Sequence, residues 1–279
     1  MYSSSPVRPV TQKRYPPLDT RLYLCGFPKA GLHAVNLMVG AFLKPEVGYD
    51  QNWLGTFAGG GWTTEWVNDH IMERAIRSVR SGHYIRGHMG YSKWFEQLLY
   101  SYGVGLVFIY RDPRDVAVSQ AHHVLSDDGG RKEMKHPGKA LYKALPDFES
   151  VLLAVIEGLN EYAGLFERWA YYAGWLEVGW VHTLRFEDMI QRPEATAQAL
   201  LKYGIRRQIS PVKPWPAWFR QQVVEKMIEN RRQTYRSVTF RKGKAGGWRE
   251  AFTPRVKEVF KARADDWLIR LGYEEDNDW

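Results

Sequence analysis

RLYLCGFPKAGLHAVNLMV, residues 21–39, changes its periodicity in the middle. Arg21 to Phe27 is a short, nearly continuous apolar run, the signature of a strand buried on both faces, and Pro28 ends it. From Gly31 the apolar positions Leu32, Val35, Leu37, Met38 and Phe42 recur at helical spacing, and Pro45 is expected to close that helix. The stretch therefore reads as strand, tight loop, helix.

The same alternation continues along the chain. The strand predictions are His83–His88, Gly105–Tyr110 (the clearest) and Trp180–Phe186. The helix predictions are Val67–Val79, Lys93–Tyr102, Asp115–His123, one long helix Phe148–Trp175, Pro193–Tyr203, Ala217–Arg231 and Pro254–Leu271. Ser126–Pro146, with its paired glycines and His-Pro-Gly, reads as a mobile loop and a candidate lid. Strands alternating with helices predict an α/β fold, a central parallel sheet flanked by helices. Residues 21–279 read as one domain, and residues 1–20 as a loosely ordered, proline-rich arm. Ligands of such sheets sit beyond the carboxyl ends of the strands, and Lys29, His88, Arg111 and Glu187 all fall there.

Composition narrows the partners. The chain has 279 residues and a net charge of +8, which suits an anionic ligand. Its basic residues cluster by motif rather than along one helix face, which argues against a nucleic-acid binder. Cys25 is the only cysteine, so no internal disulfide forms; it reads as a small core residue, and a reducing, cytoplasmic setting is expected. No run approaches the roughly 20 apolar residues of a membrane span, and the first residues lack an apolar signal core.

Three segments carry candidate chemistry. In Gly26-Phe-Pro-Lys-Ala-Gly-Leu-His33 a glycine before a helix start lets amides point at an anion, with Lys29 adding charge. The usual phosphate-loop order, glycine then lysine then Ser or Thr, is absent, and an ordinary strand–helix turn is the alternative. In Tyr110-Arg-Asp-Pro-Arg-Asp-Val-Ala-Val-Ser119, Arg111 leaves a strand and Ser119 lies about two helical turns on; Asp112, Arg114 and Asp115 read as solvated helix-start charges. From Asn230 to Arg249 there are seven basic residues and no acidic one, either a solvated loop or a phosphate clamp. His122 and His123 are adjacent on a predicted helix and face different ways, so no metal site is expected.

Together these segments resemble the cytosolic-type sulfotransferases that use 3′-phosphoadenosine 5′-phosphosulfate. Pro28-Lys-Ala-Gly31 is similar to their Pro-Lys-Ser-Gly-Thr-Thr loop, and Arg111–Ser119 to their 3′-phosphate motif. Arg241-Lys-Gly-Lys-Ala-Gly-Gly-Trp248 is similar to their Arg-Lys-Gly-x-x-Gly-Asp-Trp segment, and Leu184–Met189 to a Tyr-Glu-Asp-Met stretch near the adenine. The resemblance implies a P-loop-NTPase-like sulfotransferase fold and transfer of a sulfuryl group to a hydroxyl or amine of a small-molecule acceptor. It implies that Lys29 stabilises the leaving phosphate, and that Ala30, Gly31, Leu32 and His33 line the donor loop. Arg111, Ser119, Arg241, Lys242 and Gly243 would bind the 3′-phosphate, and Phe186 would stand where the family has Tyr. His88, in a segment like the family's Lys-Thr-His, would be the general base, with Arg86 in the lysine's place. Leu32 and His33 replace two threonines, Ala34 replaces a stacking Trp, and Gly247 replaces Asp. The aromatic–acidic stretch Glu46–Asp69, with Trp53, Phe57, Trp62, Glu65, Trp66 and Asp69, suggests a ring-containing or cationic acceptor of specialised metabolism. Arg249–Glu258 resembles a dimer segment or, equally, a helix start capped at Thr253, so monomer and homodimer both stand. A nucleotide kinase-like protein and a catalytically silent donor-binding homologue are the alternatives.

Overall fold

The computed structural model describes residues 18–46, 69–126, 138–209, 215–233 and 245–279. Its centre is a five-stranded, wholly parallel sheet in the order β2 (Lys44–Pro45), β3 (His83–Gly87), β1 (Arg21–Gly26), β4 (Val104–Tyr110), β7 (His182–Arg185). Side chains alternate between its faces, as the two-residue repeat of a strand requires. Tyr23, Cys25, Ile85 and Phe108 enter one apolar cluster, and Leu22, Leu24, Tyr84, Val107 and Ile109 the other. Both faces are dry, which explains why β1 and β4 are apolar almost throughout.

On the second face lie α1 (Leu32–Val39), α8 (Phe186–Gln191), α9 (Pro193–Arg206) and α10 (Ala217–Arg232). The first face carries α2 (Asp69–Ser78), α3 (Lys93–Ser101), α4 (Pro113–Leu125), α6 (Phe148–Glu157), α7 (Leu165–Ala173), α12 (Pro254–Ala264) and α13 (Trp267–Arg270). Two shorter helices are α5 (Lys139–Lys143) and α11 (Trp248–Ala251). Among the described residues no helix is long and apolar enough to cross a membrane.

Four expectations need correction. α1 stops at Val39, before Gly40, and Pro45 instead sits in the edge strand β2, where its missing N–H costs no ladder bond. The expected helix Phe148–Trp175 is broken: Gly158 (φ 102°) and Asn160 (φ 52°) leave the helical region and form a hairpin of β5 (Gly158–Leu159) with β6 (Tyr162–Ala163). A Cβ on Gly164 would lie 2.7 Å from the Ile156 carbonyl oxygen, so glycine permits the close return. The helix Pro254–Leu271 breaks at Asp265 (φ 45°). Within Ser126–Pro146, Lys139–Lys143 is helical and anchored by the buried Tyr142. At Thr253 the capping reading holds: its Oγ1 accepts the Val256 amide at 3.2 Å.

Candidate functional site

The strand registers bring the carboxyl ends level. Cys25 pairs with Gly87, Gly26 with Ile109 and Tyr110 with Arg185. With neighbouring strands about 4.8 Å apart, His88, the Lys29 loop and Arg111 follow one another along a single edge of the sheet. The loop is tight: the Ala30 amide donates to the Phe27 carbonyl at 3.0 Å, and Lys29 (φ 71°) and Gly31 (φ 103°) both take left-handed conformations. Gly31 is required there, since a Cβ would lie 2.6 Å from the Phe186 ring. α1 starts at once, with no side-chain cap and no acid in its first turn. The Gly31, Leu32 and His33 amides precede the first intrahelical donor, the Ala34 amide bonded to the Gly31 carbonyl, so they present N–H groups and the positive end of the helix dipole at the sheet edge. Ala30 and Leu32 are buried and offer only backbone to that edge.

Beside the loop stands His88. Its Nδ1 lies 2.6 Å from the Gly26 carbonyl oxygen. A carbonyl only accepts, so Nδ1 carries the hydrogen and Nε2 of the neutral ring keeps its lone pair. Burial lowers the His88 pKa; the bond to Gly26 opposes this, and the charges of Arg86 and Lys29 lower it further. Burial, then Arg86, lowers His33 in the same way. The charges of Lys29 and Arg86 thus act on the neutral rings of His88 and His33, and the four side chains form one cluster. The peptide behind it is pinned. The Tyr172 hydroxyl donates to the His88 carbonyl at 2.6 Å, and Trp175 Nε1 and Cys25 Sγ reach the Met89 carbonyl at 3.0 and 3.1 Å. Cys25 is a buried core residue whose thiol pKa burial pushes up.

On the other flank, Arg111 pairs with Asp115 (3.2 Å) and lies 4.4 Å over the Phe186 ring. Phe186 therefore touches both Gly31 and Arg111. Ser119, partly exposed, is one turn beyond Asp115 on the same face of α4. Asp112, Arg114 and Asp115, expected to be solvated, are all buried. Asp112 caps α4 through the Arg114 amide (2.9 Å) and takes the Arg114 guanidinium at 3.0 and 2.8 Å. Asp115 accepts the amides of Gly246 (2.7 Å) and Trp248 (3.0 Å), which fixes the end of the basic segment against Arg111. Glu187 proves structural: its carboxylate takes the Asp112 amide (3.2 Å) and the Tyr273 hydroxyl (2.7 Å), and burial raises its pKa. Sequence reasoning missed Asp115, Arg114, Tyr273 and Glu274 as members of this network, and no local signal marks them.

Trp53, Phe57, Trp62, Glu65 and Trp66, the Asp69 side chain, and Arg241, Lys242 and Gly243 lie outside the described residues. The His122 ring packs on Phe148 at 4.6 Å. Among the described residues no group of three or more His, Cys, Asp or Glu side chains is placed to hold a metal ion.

Comparison with known proteins bears on this arrangement. The family model described as "Sulfotransferase domain" matches residues 19–272. A search of curated proteins found no significant match. Among solved structures, mouse sulfotransferase SULT7A1 complexed with PAP is 14% identical with a TM-score of 0.60, over 94% of this chain and 89% of that one. Retinol dehydratase in complex with androsterone and inactive cofactor PAP is 15% identical with a TM-score of 0.55, over 91% and 82% of the two chains. Retinol dehydratase with retinol and PAP is 16% identical with a TM-score of 0.51, over 90% and 83%. At these identities the likeness is one of fold.

Proposed function

The chain belongs to the sulfotransferase domain family, and on that premise we propose that it moves a sulfuryl group from 3′-phosphoadenosine 5′-phosphosulfate to a hydroxyl or amine of a small molecule. The observation that carries the reading is the His88–Gly26 bond at 2.6 Å, which ties a histidine with a free Nε2 lone pair to the root of the Lys29 loop.

The residues present fit the nucleotide. Lys29 and Arg86 bring positive charge to His88, the helix start at Gly31 lies against Phe186, and Arg111 lies 4.4 Å over the same ring. When bound, the nucleotide supplies the activated sulfuryl group. His88 Nε2 accepts the proton of the incoming hydroxyl or amine. Lys29 and the amides of Gly31, Leu32 and His33 place positive charge where a phosphate oxygen is released, each worth about 2–4 kcal/mol of barrier. His33 stands where a threonine hydroxyl is missing. Arg111 and Ser119, joined by Arg241, Lys242 and Gly243, would hold the 3′-phosphate, and Phe186 would pack beside the adenine. The acceptor would lie at Glu46–Asp69.

Calorimetric titration with 3′,5′-adenosine bisphosphate tests this reading. Binding is expected, lost in Arg111→Ala and kept in His88→Ala. No binding up to millimolar ligand would end the proposal. Binding without transfer from labelled donor to any of a panel of hydroxyl and amine acceptors would identify a silent homologue instead.

A further inference from the structure

Segments far apart in sequence converge behind Arg111, and one of them is the stretch that follows α13, Gly272–Trp279. It reaches the Arg111 turn by two routes. In the first, the Tyr273 hydroxyl donates to Glu187 Oε2 (2.7 Å) while Glu187 Oε1 accepts the amide of Asp112, the residue next to Arg111 (3.2 Å). Tyr273 is itself held, with the Arg185 guanidinium 4.3 Å over its ring. In the second, Glu274 ion-pairs with Arg114, whose guanidinium lies over both the Trp248 ring (4.1 Å) and the Trp279 ring (4.6 Å), two rings that meet edge to face. Trp248 in turn donates its amide to Asp115, the carboxylate that Arg111 grips.

We infer that Gly272–Trp279 sets the orientation of Arg111 toward the 3′-phosphate, with Tyr273 and Glu274 as positioning residues. This rests on the proposed reading of Arg111 as a phosphate ligand. The physical reason is that Arg111 leaves the last residue of β4 on a turn whose Asp112 amide is held by Glu187, and whose local cap and ion pair are braced by Glu274 on Arg114 and by the Gly246 and Trp248 amides on Asp115. Glu187 stays in place only while Tyr273 satisfies its second oxygen. Arg114 stays stacked on Trp248 while Glu274 and Asp112 divide its guanidinium. Neither Tyr273 nor Glu274 is expected to touch the nucleotide.

The test compares two ligands by calorimetry, 3′,5′-adenosine bisphosphate and adenosine 5′-monophosphate, on the full chain and on Tyr273→Phe, Glu274→Gln and Glu274→Ala. A charge-assisted hydrogen bond lost from the brace predicts about tenfold weaker bisphosphate binding in Glu274→Ala and Tyr273→Phe, with Glu274→Gln between these and the unaltered chain. Monophosphate binding stays unchanged. A merely structural role would weaken both ligands alike, and that result, or no change in either, overturns the inference. Failure of the unaltered chain to bind the bisphosphate would overturn the functional reading instead. Tyr273→Phe removes a single oxygen and keeps the test available if Glu274→Ala does not fold.

Discussion

Gly31→Ala separates two costs that the structure places on one atom. Gly31 has φ 103°, and an added Cβ would lie 2.6 Å from Phe186 Cδ2 and 3.1 Å from Cε2. A left-handed conformation costs an L-residue about 1–2 kcal/mol. Phe186 is buried at 5% exposure, and forcing its ring aside costs about 1–3 kcal/mol more. The total of about 2–5 kcal/mol corresponds to a fall in melting temperature of roughly 3–9 °C for a chain of this size. Because Arg111 lies 4.4 Å over the same ring, displacing Phe186 also weakens binding of 3′,5′-adenosine bisphosphate. Denaturant unfolding of the unaltered chain, Gly31→Ala, Phe186→Ala and the double variant forms a cycle. With the ring removed, the Gly31→Ala cost should shrink to its backbone part, giving a coupling of about 1–3 kcal/mol. If Gly31→Ala costs as much without the ring as with it, the contact argument is wrong.

Other outcomes follow from the titrating groups and the loop. His88→Asn should lower kcat by about 10²–10⁴-fold while leaving bisphosphate affinity nearly unchanged, as steady-state kinetics and calorimetry will show. Because burial, Arg86 and Lys29 lower the His88 pKa, the acid limb of kcat/KM should fall below the ordinary histidine value of about 6.5, and Arg86→Gln should move it back upward. Burial likewise lowers His182. Between its folded pKa and about 6.5 the unfolded chain binds the extra proton, so stability rises with pH across that window and is flat above it. Thermal melts at a series of pH values should show a shallower rise for His182→Gln. Lys29→Ala should reduce kcat more than it weakens bisphosphate binding, since its charge is needed most at the released phosphate oxygen.

The parts of the fold legible in sequence are those where one local pattern decides burial. β4 is apolar at every position except its glycine and is buried up to Tyr110. Its identity as a central strand needed no tertiary information. β2 was illegible because two residues, one of them proline, carry no period. Between Phe148 and Trp175 the apolar runs on either side of the hairpin kept helical spacing, which concealed the break. Gly158, Asn160 and Gly164 were the available signal, and each occupies a conformation or close approach that suits its type. At Asp265 there was no such signal, since neither Ala264 nor Asp266 is a helix breaker.

The site divides along the same line. Lys29, His88 and Arg111 were readable because each follows a strand end, and the sheet alone brings strand ends together. The charges of Asp112, Arg114 and Asp115 were misread because acids and bases at a helix start are ordinarily solvated, and nothing local says otherwise. What buries them lies far away: the Gly246 and Trp248 amides are 131 and 133 residues from Asp115, and Glu274 is 160 from Arg114. Arg114 keeps its charge out of water because two carboxylates and two tryptophan faces replace the solvent, an arrangement that tolerates no missing member, since an unbalanced buried charge costs several kcal/mol. That intolerance gives the turn its rigidity. Arg111 starts from a backbone whose neighbours cannot shift singly, so its direction is set by the fold before any anion arrives.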